Sequence, residues 1–314
     1  MTQTFAIEVR ELRKSYGPVE AVRGIDFTVS SGEIFGLMGP NGAGKSTTIS
    51  ILSGLLQPSA GEARINGHSV LSEGSLAKAS LGVVPQDVAL YPDLSARENL
   101  AFWGKMYGLR GKELNRRVDE VLELVGLSAR QKGKVGTFSG GMKRRINIGA
   151  ALLHRPKVLI MDEPTVGIDP QSRRHILDSV LELHRQGVTV LYTTHYMEEA
   201  RELADRIAIM DRGEIIACGT ARELIRLVGE QTRVELEVQG KSDLAAGDWS
   251  TLRGVHHVQA RDGAVTLLVD DADAVLPPIF ETASARGVRV LSVRVQQPDL
   301  ETVFLHLTGR ALRD

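Results

Sequence analysis

Nine residues constrain this chain more than any others: Gly39-Pro40-Asn41-Gly42-Ala43-Gly44-Lys45-Ser46-Thr47. They follow a short apolar run, Glu33 to Met38, and lead into a helical stretch, Thr47 to Leu56, that Pro58 stops. A glycine-rich turn between a strand and a helix lets successive backbone N–H groups turn inward around phosphates. The positive end of the following helix then points at the same anion. In such a loop Lys45 reaches the β and γ phosphates and the Ser46 hydroxyl is offered to Mg²⁺. The loop requires an open α/β sheet behind it. Alone it specifies a nucleotide phosphate and would fit kinases or GTPases equally.

The rest of the chain narrows the choice. Its 314 residues suit one large and one small domain better than a single compact one. A formal net charge of −1 gives no bulk attraction to nucleic acid or anionic lipid, so no nucleic-acid partner is expected. Cys218 is the only cysteine, which excludes an intrachain disulfide and a zinc cluster; its apolar neighbours Ile215, Ile216 and Ala217 suggest a small buried residue. Met1 to Arg10 already carries Glu8 and Arg10 and lacks the apolar core of a secretory signal. Spanning a bilayer takes roughly 20 mostly apolar residues. The longest charge-free stretch, Ser46 to Gly61, is laced with Ser, Thr, Gln and Pro, so a membrane path is expected to belong to another chain.

Along the chain, strands are expected at Phe5 to Val9, Ile25 to Val29, Glu33 to Met38 and Leu81 to Pro85, with a turn at Asn66-Gly67. From about 87 to 156 the period becomes helical. Ser95 with Glu98 forms a capping box before a helix through Met106; others run from Glu113 to Val125 and from Ser139 to just before Pro156. Strands return at Val158 to Met161 and Val188 to Thr193, separated by a helix at Gln171 to Arg185, and a hairpin joins Arg206–Met210 to Ile215–Ala217. The texture changes again near Val228. Val234 to Val238 alternates strictly, and Val265 to Val269, Val288 to Val295 and a helix at Ala272 to Arg286 complete a small α+β unit, ferredoxin-like in outline. The expected division is a main domain over 1–228, with a helical subdomain at 87–156, and a small accessory domain over 229–314.

Two further motifs carry chemistry. Val158-Leu159-Ile160-Met161 reads as a strand buried on both faces, and Asp162-Glu163 stand at its carboxyl end, where open parallel sheets bind ligands. Asp162 is placed to hold Mg²⁺, and Glu163 to act as base or orienter for an attacking water. Phe138-Ser139-Gly140-Gly141-Met142-Lys143-Arg144-Arg145 opens a second helix with free N–H groups and a hydroxyl, a second anion site. One nucleotide needs one phosphate loop. The spare site therefore points to a γ-phosphate held by another subunit.

The order of phosphate loop, Gln86, Ser-Gly-Gly, Asp-Glu and His195 resembles the ATP-binding cassette of transporter ATPases over about Phe5 to Val228. The resemblance implies an α/β P-loop fold with a helical subdomain, ATP and Mg²⁺ as ligands, and a head-to-tail dimer. It also implies that the chain works on the cytoplasmic face beside a membrane-spanning subunit. It further implies that Ser139 and Gly141, with Gly140 between them, contact ATP on the opposite protomer. Gln86 would link metal and water to the transport interface, Asp169 would lie between the two sites, and His195 would contact the γ-phosphate. Tyr16 matches the family's adenine-stacking aromatic, and base stacking is worth roughly 1–3 kcal/mol. With Glu163 and Lys45, His195 would complete the catalytic set. Met142 departs from the usual Gln after Ser-Gly-Gly, but the phosphate contacts come from Ser139 and the glycine backbone. Met-Lys-Arg-Arg at 142–145, Thr-Thr-His-Tyr-Met-Glu-Glu-Ala at 193–200 and Leu300-Glu301-Thr302-Val303-Phe304-Leu305 are similar to daunorubicin-resistance-type drug and natural-product exporters.

Other ATPases share this head. Chromosome-maintenance ATPases interrupt it with long coiled coils, and ribosome-associated cassette factors usually carry two cassettes; this chain has neither feature. A simple phosphotransferase leaves the Ser-Gly-Gly site and His195 unexplained.

Overall fold

The computed structural model describes residues 5–229, 231–239, 247–261, 263–297 and 299–308. Met1 to Thr4 of the N-terminal stretch lie outside the described residues. The chain divides into two compact units between Ala221 and Arg222.

In the first unit the strands are β1 (Phe5–Tyr16), β2 (Val19–Ser30), β3 (Ile34–Met38), β4 (Ala60–Ile65), β5 (His68–Ser69), β6 (Leu81–Val84), β7 (Val158–Asp162), β8 (Thr189–Thr194), β9 (Arg206–Asp211) and β10 (Glu214–Gly219). The helices are α1 (Lys45–Leu52), α2 (Gly74–Ala79), α3 (Ala96–Met106), α4 (Gly111–Leu124), α5 (Gly140–Leu152), α6 (Pro170–Arg185), α7 (Met197–Leu203) and α8 (Ala221–Arg226), the last running across the division. One sheet has the order β10-β9-β3-β8-β7-β6; the other, antiparallel, has the order β2-β1-β4-β5.

Every residue of β3, β7 and β8 is buried, as expected for parallel strands covered on both faces. Side chains alternate between those faces. Ile34, Leu159, Met161, Val190 and Tyr192 pack with the helical side, including Leu100, Val121 and Ile148. Phe35, Leu37, Val158, Ile160 and Leu191 pack toward the antiparallel sheet and α1, against Ile7, Phe27, Ile49 and Leu52. The Ser95 capping box at the start of α3 forms as expected, with Ser95 and Glu98 each serving the other's backbone N–H.

The first strand is longer than its apolar core suggested. It continues past Glu11, whose left-handed φ of 46° shifts the register, and then pairs again through Tyr16. The helix after the loop is shorter than expected and ends at Leu52. Cys218 is exposed rather than buried. It lies on β10, which is the edge strand beside β9 among the described residues, and its Sγ accepts a long contact from Arg206 Nη2 at 3.6 Å.

In the second unit, β11 (Thr232–Gln239), β12 (Val255–Arg261), β13 (Ala264–Val269) and β14 (Arg289–Gln296) form an antiparallel sheet in the order β12-β13-β11-β14. With α9 (Ala272–Ala285) between β13 and β14, this is the strand order of a split β-α-β sheet. Val234, Leu236, Leu267 and Ile279 surround the fully buried Trp249, whose indole N–H donates to the Ile279 carbonyl at 3.2 Å. A last helix, α10 (Leu300–Thr308), follows.

Candidate active site

Parallel register gathers the motifs. Met38 pairs with Thr194, Thr193 with Asp162, and Met161 with Val84. The segments leaving β3, β8, β7 and β6 therefore emerge side by side, one strand spacing apart, which is about 4.8 Å. They carry the Gly39–Thr47 loop, His195, Glu163 and Gln86. A cavity of about 260 Å³ is lined by Asn41, Gly42, Ala43, Gly44, Lys45, Ser46, Thr47, Gln86 and Glu163, with Ala21 from β2.

The loop geometry follows from its glycines. Gly44, the residue before α1, has φ 108°, and a Cβ there would lie 2.5 Å from the Ala21 carbonyl oxygen. No other residue fits that position. Lys45 is buried, and its Nζ donates to the carbonyls of Gly39 at 2.7 Å and Pro40 at 3.1 Å. The same Nζ lies 3.1 Å from Glu163 Oε1.

Glu163 is held in an uncommon conformation. Its φ of 44° is left-handed, a strain of about 1–3 kcal/mol for a residue with a side chain, and such strain gathers at functional sites. Its N–H donates to Thr193 Oγ1 at 3.0 Å, and Thr193 Oγ1 donates to Asp162 Oδ1 at 2.7 Å. Thr193 thus orients both carboxylate-bearing residues. Glu163 Oε2 faces His195 Nδ1 at 3.4 Å, and that ring nitrogen is buried without a hydrogen bond. The site can therefore present a cation, a carboxylate and an imidazole to one small volume.

The Gln86 segment is braced by α5. Buried Arg144 donates through Nη1 to the Pro85 carbonyl at 2.6 Å and through Nη2 to the Gln86 carbonyl, while Asn147 Oδ1 accepts from the Ala89 N–H at 3.3 Å. Burial lowers the Arg144 pKa, partly offset by the charges of Asp87 and Asp162.

The remaining expected residues lie apart from the cavity lining. Ser139 caps α5, its Oγ accepting from the Met142 N–H at 3.2 Å, and both Ser139 and Gly140 are exposed. Asp169 caps α6 by accepting from the Ser172 N–H at 2.9 Å, and these hydrogen bonds hold its carboxyl below the usual range. Gly141 joins the two caps. A Cβ there would lie 2.0 Å from Ser172 Oγ and 3.2 Å from Asp169 Oδ2, so α5 and α6 meet at closer range than any side chain allows. Tyr16 stands half-exposed at the end of β1, with Lys14 Nζ 5.3 Å from its ring centroid.

Reading the sequence alone missed Thr193 and Arg144. Thr193 ends a run already assigned as a strand, but its partners lie about thirty residues back on β7. The alternation of β8 could have shown that Thr193 and Thr194 serve opposite faces.

Comparisons with known proteins agree with this geometry. The ABC transporter family model matches residues 22–166. Linearmycin resistance ATP-binding protein LnrL of Bacillus subtilis (strain 168) is 50% identical over 310 residues, spanning 98% of this chain and 100% of that protein. Daunorubicin resistance ATP-binding protein DrrA3 of Streptomyces coeruleorubidus is 39% identical over 305 residues, spanning 97% and 96%. The ATP-binding cassette MJ0796, solved as a dimer in a post-hydrolysis state bound to ADP and Pi, aligns with a TM-score of 0.62 at 28% identity, over 68% of this chain and 98% of that one. With its cassette fold, its phosphate loop beside a strained glutamate and relatives that match it end to end, the chain belongs to the ABC transporter family, as an ATP-hydrolysing, ATP-binding protein of the antibiotic-resistance type.

Proposed function

We propose that this subunit powers export of a drug-like or lipid-like natural product through a separate membrane-spanning partner, and that each ATP is gripped by two copies of the chain. The observation that carries the reading is the placement of Ser139. It caps a 13-residue helix, is exposed together with Gly140, and lies outside the lining of the Lys45 cavity. A helix N-terminus is a ready anion site, and a head-to-tail partner gives it a phosphate to meet.

The roles follow from chemistry. Tyr16 stacks on adenine, and Gly39 to Thr47 cradle the phosphates with Lys45 on the β and γ groups. Glu163 orients or deprotonates the attacking water, and His195 contacts the γ-phosphate and Glu163 together. The partner's copy of the 139–141 segment closes over the γ-phosphate, and Asp169 sets the spacing between the two sites. An arginine finger supplied across an interface is worth about 10³–10⁵ in rate in related phosphoryl transfers, and here the partial positive charge of a helix N-terminus with the Ser139 hydroxyl takes that place.

Ser46, Asp162 and Gln86 offer a hydroxyl, a carboxylate and an amide oxygen, the hard donors that Mg²⁺ takes alongside phosphates and water. When bound there, the ion neutralises charge on the β and γ oxygens.

The relatives' names speak of resistance to linearmycin and daunorubicin, which supports an amphiphilic cargo and outward transport. Among the described residues no helix is long and apolar enough to cross a membrane, which fits a subunit docked at the cytoplasmic face. The segment 229–314 is read as an accessory domain of that subunit, and one full motif set is compatible with a homodimer. The test is reconstitution with the co-purifying membrane protein in vesicles. ATP-driven, outward movement of an amphiphilic antibiotic is expected, and ATP turnover without any transport would contradict the assignment.

A further inference from the structure

The face of β8 turned away from Thr193 leads to a buried carboxylate with no assigned role. Glu199, on α7, is 3% exposed. Its Oε2 accepts hydrogen bonds from three hydroxyls: Thr165 Oγ1 at 2.9 Å, Tyr192 Oη at 2.9 Å and Thr194 Oγ1 at 3.1 Å. Its Oε1 has no hydrogen bond and faces Arg173 Nε at 3.6 Å, and that nitrogen is equally without a hydrogen bond. The Arg173 guanidinium lies 4.6 Å from the Tyr196 ring centroid, and the Tyr196 N–H donates to Thr194 Oγ1 at 2.9 Å.

Burying a carboxylate is costly, and a packed apolar residue at the same place is often as stable or more so. What this carboxylate does is join three segments. Thr165 is two residues beyond Glu163, and Thr194 directly precedes His195. Arg173 is in the first turn of α6, which Asp169 caps. Burial, with the Glu199 charge beside it, pushes the Tyr192 phenol well above its ordinary range, so it remains a donor to Oε2. The Glu199–Arg173 contact is the loose one of the set. It is an ion pair with room to tighten, on the helix nearest the segment proposed to sit between two nucleotides.

We propose that Glu199 is a positioning residue for ATP hydrolysis: its buried carboxylate ties the turn after Glu163, the His195 strand end and the Asp169 helix into one unit, so that Glu163 and His195 hold a common geometry toward the γ-phosphate. This rests on the reading of Glu163 and His195 given above. Glu199 itself is not part of the lining of the Lys45 cavity. Its effect is on the placement of Glu163 and His195, where an error near 1 Å costs about 10²-fold in rate.

The experiment uses the full chain and compares Glu199→Ala, Glu199→Gln, Thr194→Val and Glu163→Gln for ATP turnover, affinity for a fluorescent ATP analogue, and melting temperature. For Glu199→Ala, kcat is expected to fall by about 10²-fold while nucleotide affinity stays within about threefold, the pattern of lost transition-state interaction rather than lost binding. Glu199→Gln keeps a carbonyl oxygen for the hydroxyls and should recover about tenfold of that loss, a rescue that mere core filling does not give. Should Glu199→Ala not fold, Thr194→Val removes one of the three hydrogen bonds to Glu199, along with the acceptor for the Tyr196 N–H, and should still lower kcat by about threefold to tenfold at unchanged affinity. Glu199→Ala turning over at the wild-type rate, or losing kcat and affinity in equal measure, overturns the proposal while leaving Glu163 in place, provided Glu163→Gln is inactive. Full turnover by Glu163→Gln overturns the site reading itself, and the Glu199 proposal with it.

Discussion

Lys45 Nζ and Glu163 Oε1 form a buried ion pair at 3.1 Å, joining the cation of the phosphate loop to the carboxylate beyond β7. Glu163 thus sits where a γ-phosphate would approach Lys45, and the two anions repel. Glu163→Gln removes that repulsion and the general base together. The variant is expected to bind ATP several-fold more tightly and to lose about 10²–10⁴ in turnover, measured by equilibrium binding and single-turnover hydrolysis. Weaker ATP binding by the variant would count against the placement of the γ-phosphate.

Gly141 bears on the fit of α5 against α6. A methyl group there meets Ser172 Oγ at 2.0 Å and Ser172 Cβ at 2.2 Å, so Gly141→Ala should destabilise by about 1–3 kcal/mol through overpacking. The Ser172→Gly, Gly141→Ala double variant should regain part of that loss. Thermal melts of the four proteins measure the coupling, and simple additivity would contradict the contact.

Arg144 holds two successive carbonyls, those of Pro85 and Gln86. A planar guanidinium spans both, and a lysine ammonium does not. Arg144→Lys is therefore expected to behave nearly as badly as Arg144→Met. Each hydrogen bond to a charged group is worth about 1.5–3 kcal/mol. Amide hydrogen exchange should quicken over residues 85–90 in both variants; protection equal to wild type would show that α5 does not brace the segment.

Stability should fall on mild acidification because of His154. Its Nε2 lies 3.0 Å from the Leu81 carbonyl and its ring stacks on Tyr107 at 4.1 Å. Burial lowers its pKa below the ordinary value. The unfolded chain then takes up the proton first, so the contribution is present above about pH 6.5 and is lost as the pH falls through the lower, folded value. His154→Gln should flatten the acid side of the melting-temperature profile. An unchanged profile would assign that slope to other groups.

How far the sequence could be read depended on how local each contact is. Gly39 to Thr47 and Val158 to Glu163 declare themselves through glycine spacing and a run of apolar residues, and both lie at the carboxyl ends of parallel strands as expected. Helix α2 went unread because it spans only six residues, and strand β12 because its sequence, Val-His-His-Val-Gln-Ala-Arg, is weakly patterned. Glu199 and Arg144 lay hidden for another reason. Their partners are 5 to 59 residues away in sequence, and only the order of the sheet brings them together. Cys218 misled because its apolar neighbours do not reveal that β10 is an edge.

The joint grip on ATP is tested most directly by mixing two inactive proteins, one carrying Lys45→Ala and the other Ser139→Asp. Aspartate keeps the cap on α5 and sets a negative charge against the γ-phosphate. In a two-fold dimer built as described, a mixed pair holds one site with both defects and one with none, so random mixing should restore about a quarter of wild-type turnover. No recovery above the separate proteins, with mixed dimers shown to form, would mean that Lys45 and Ser139 act on the same chain.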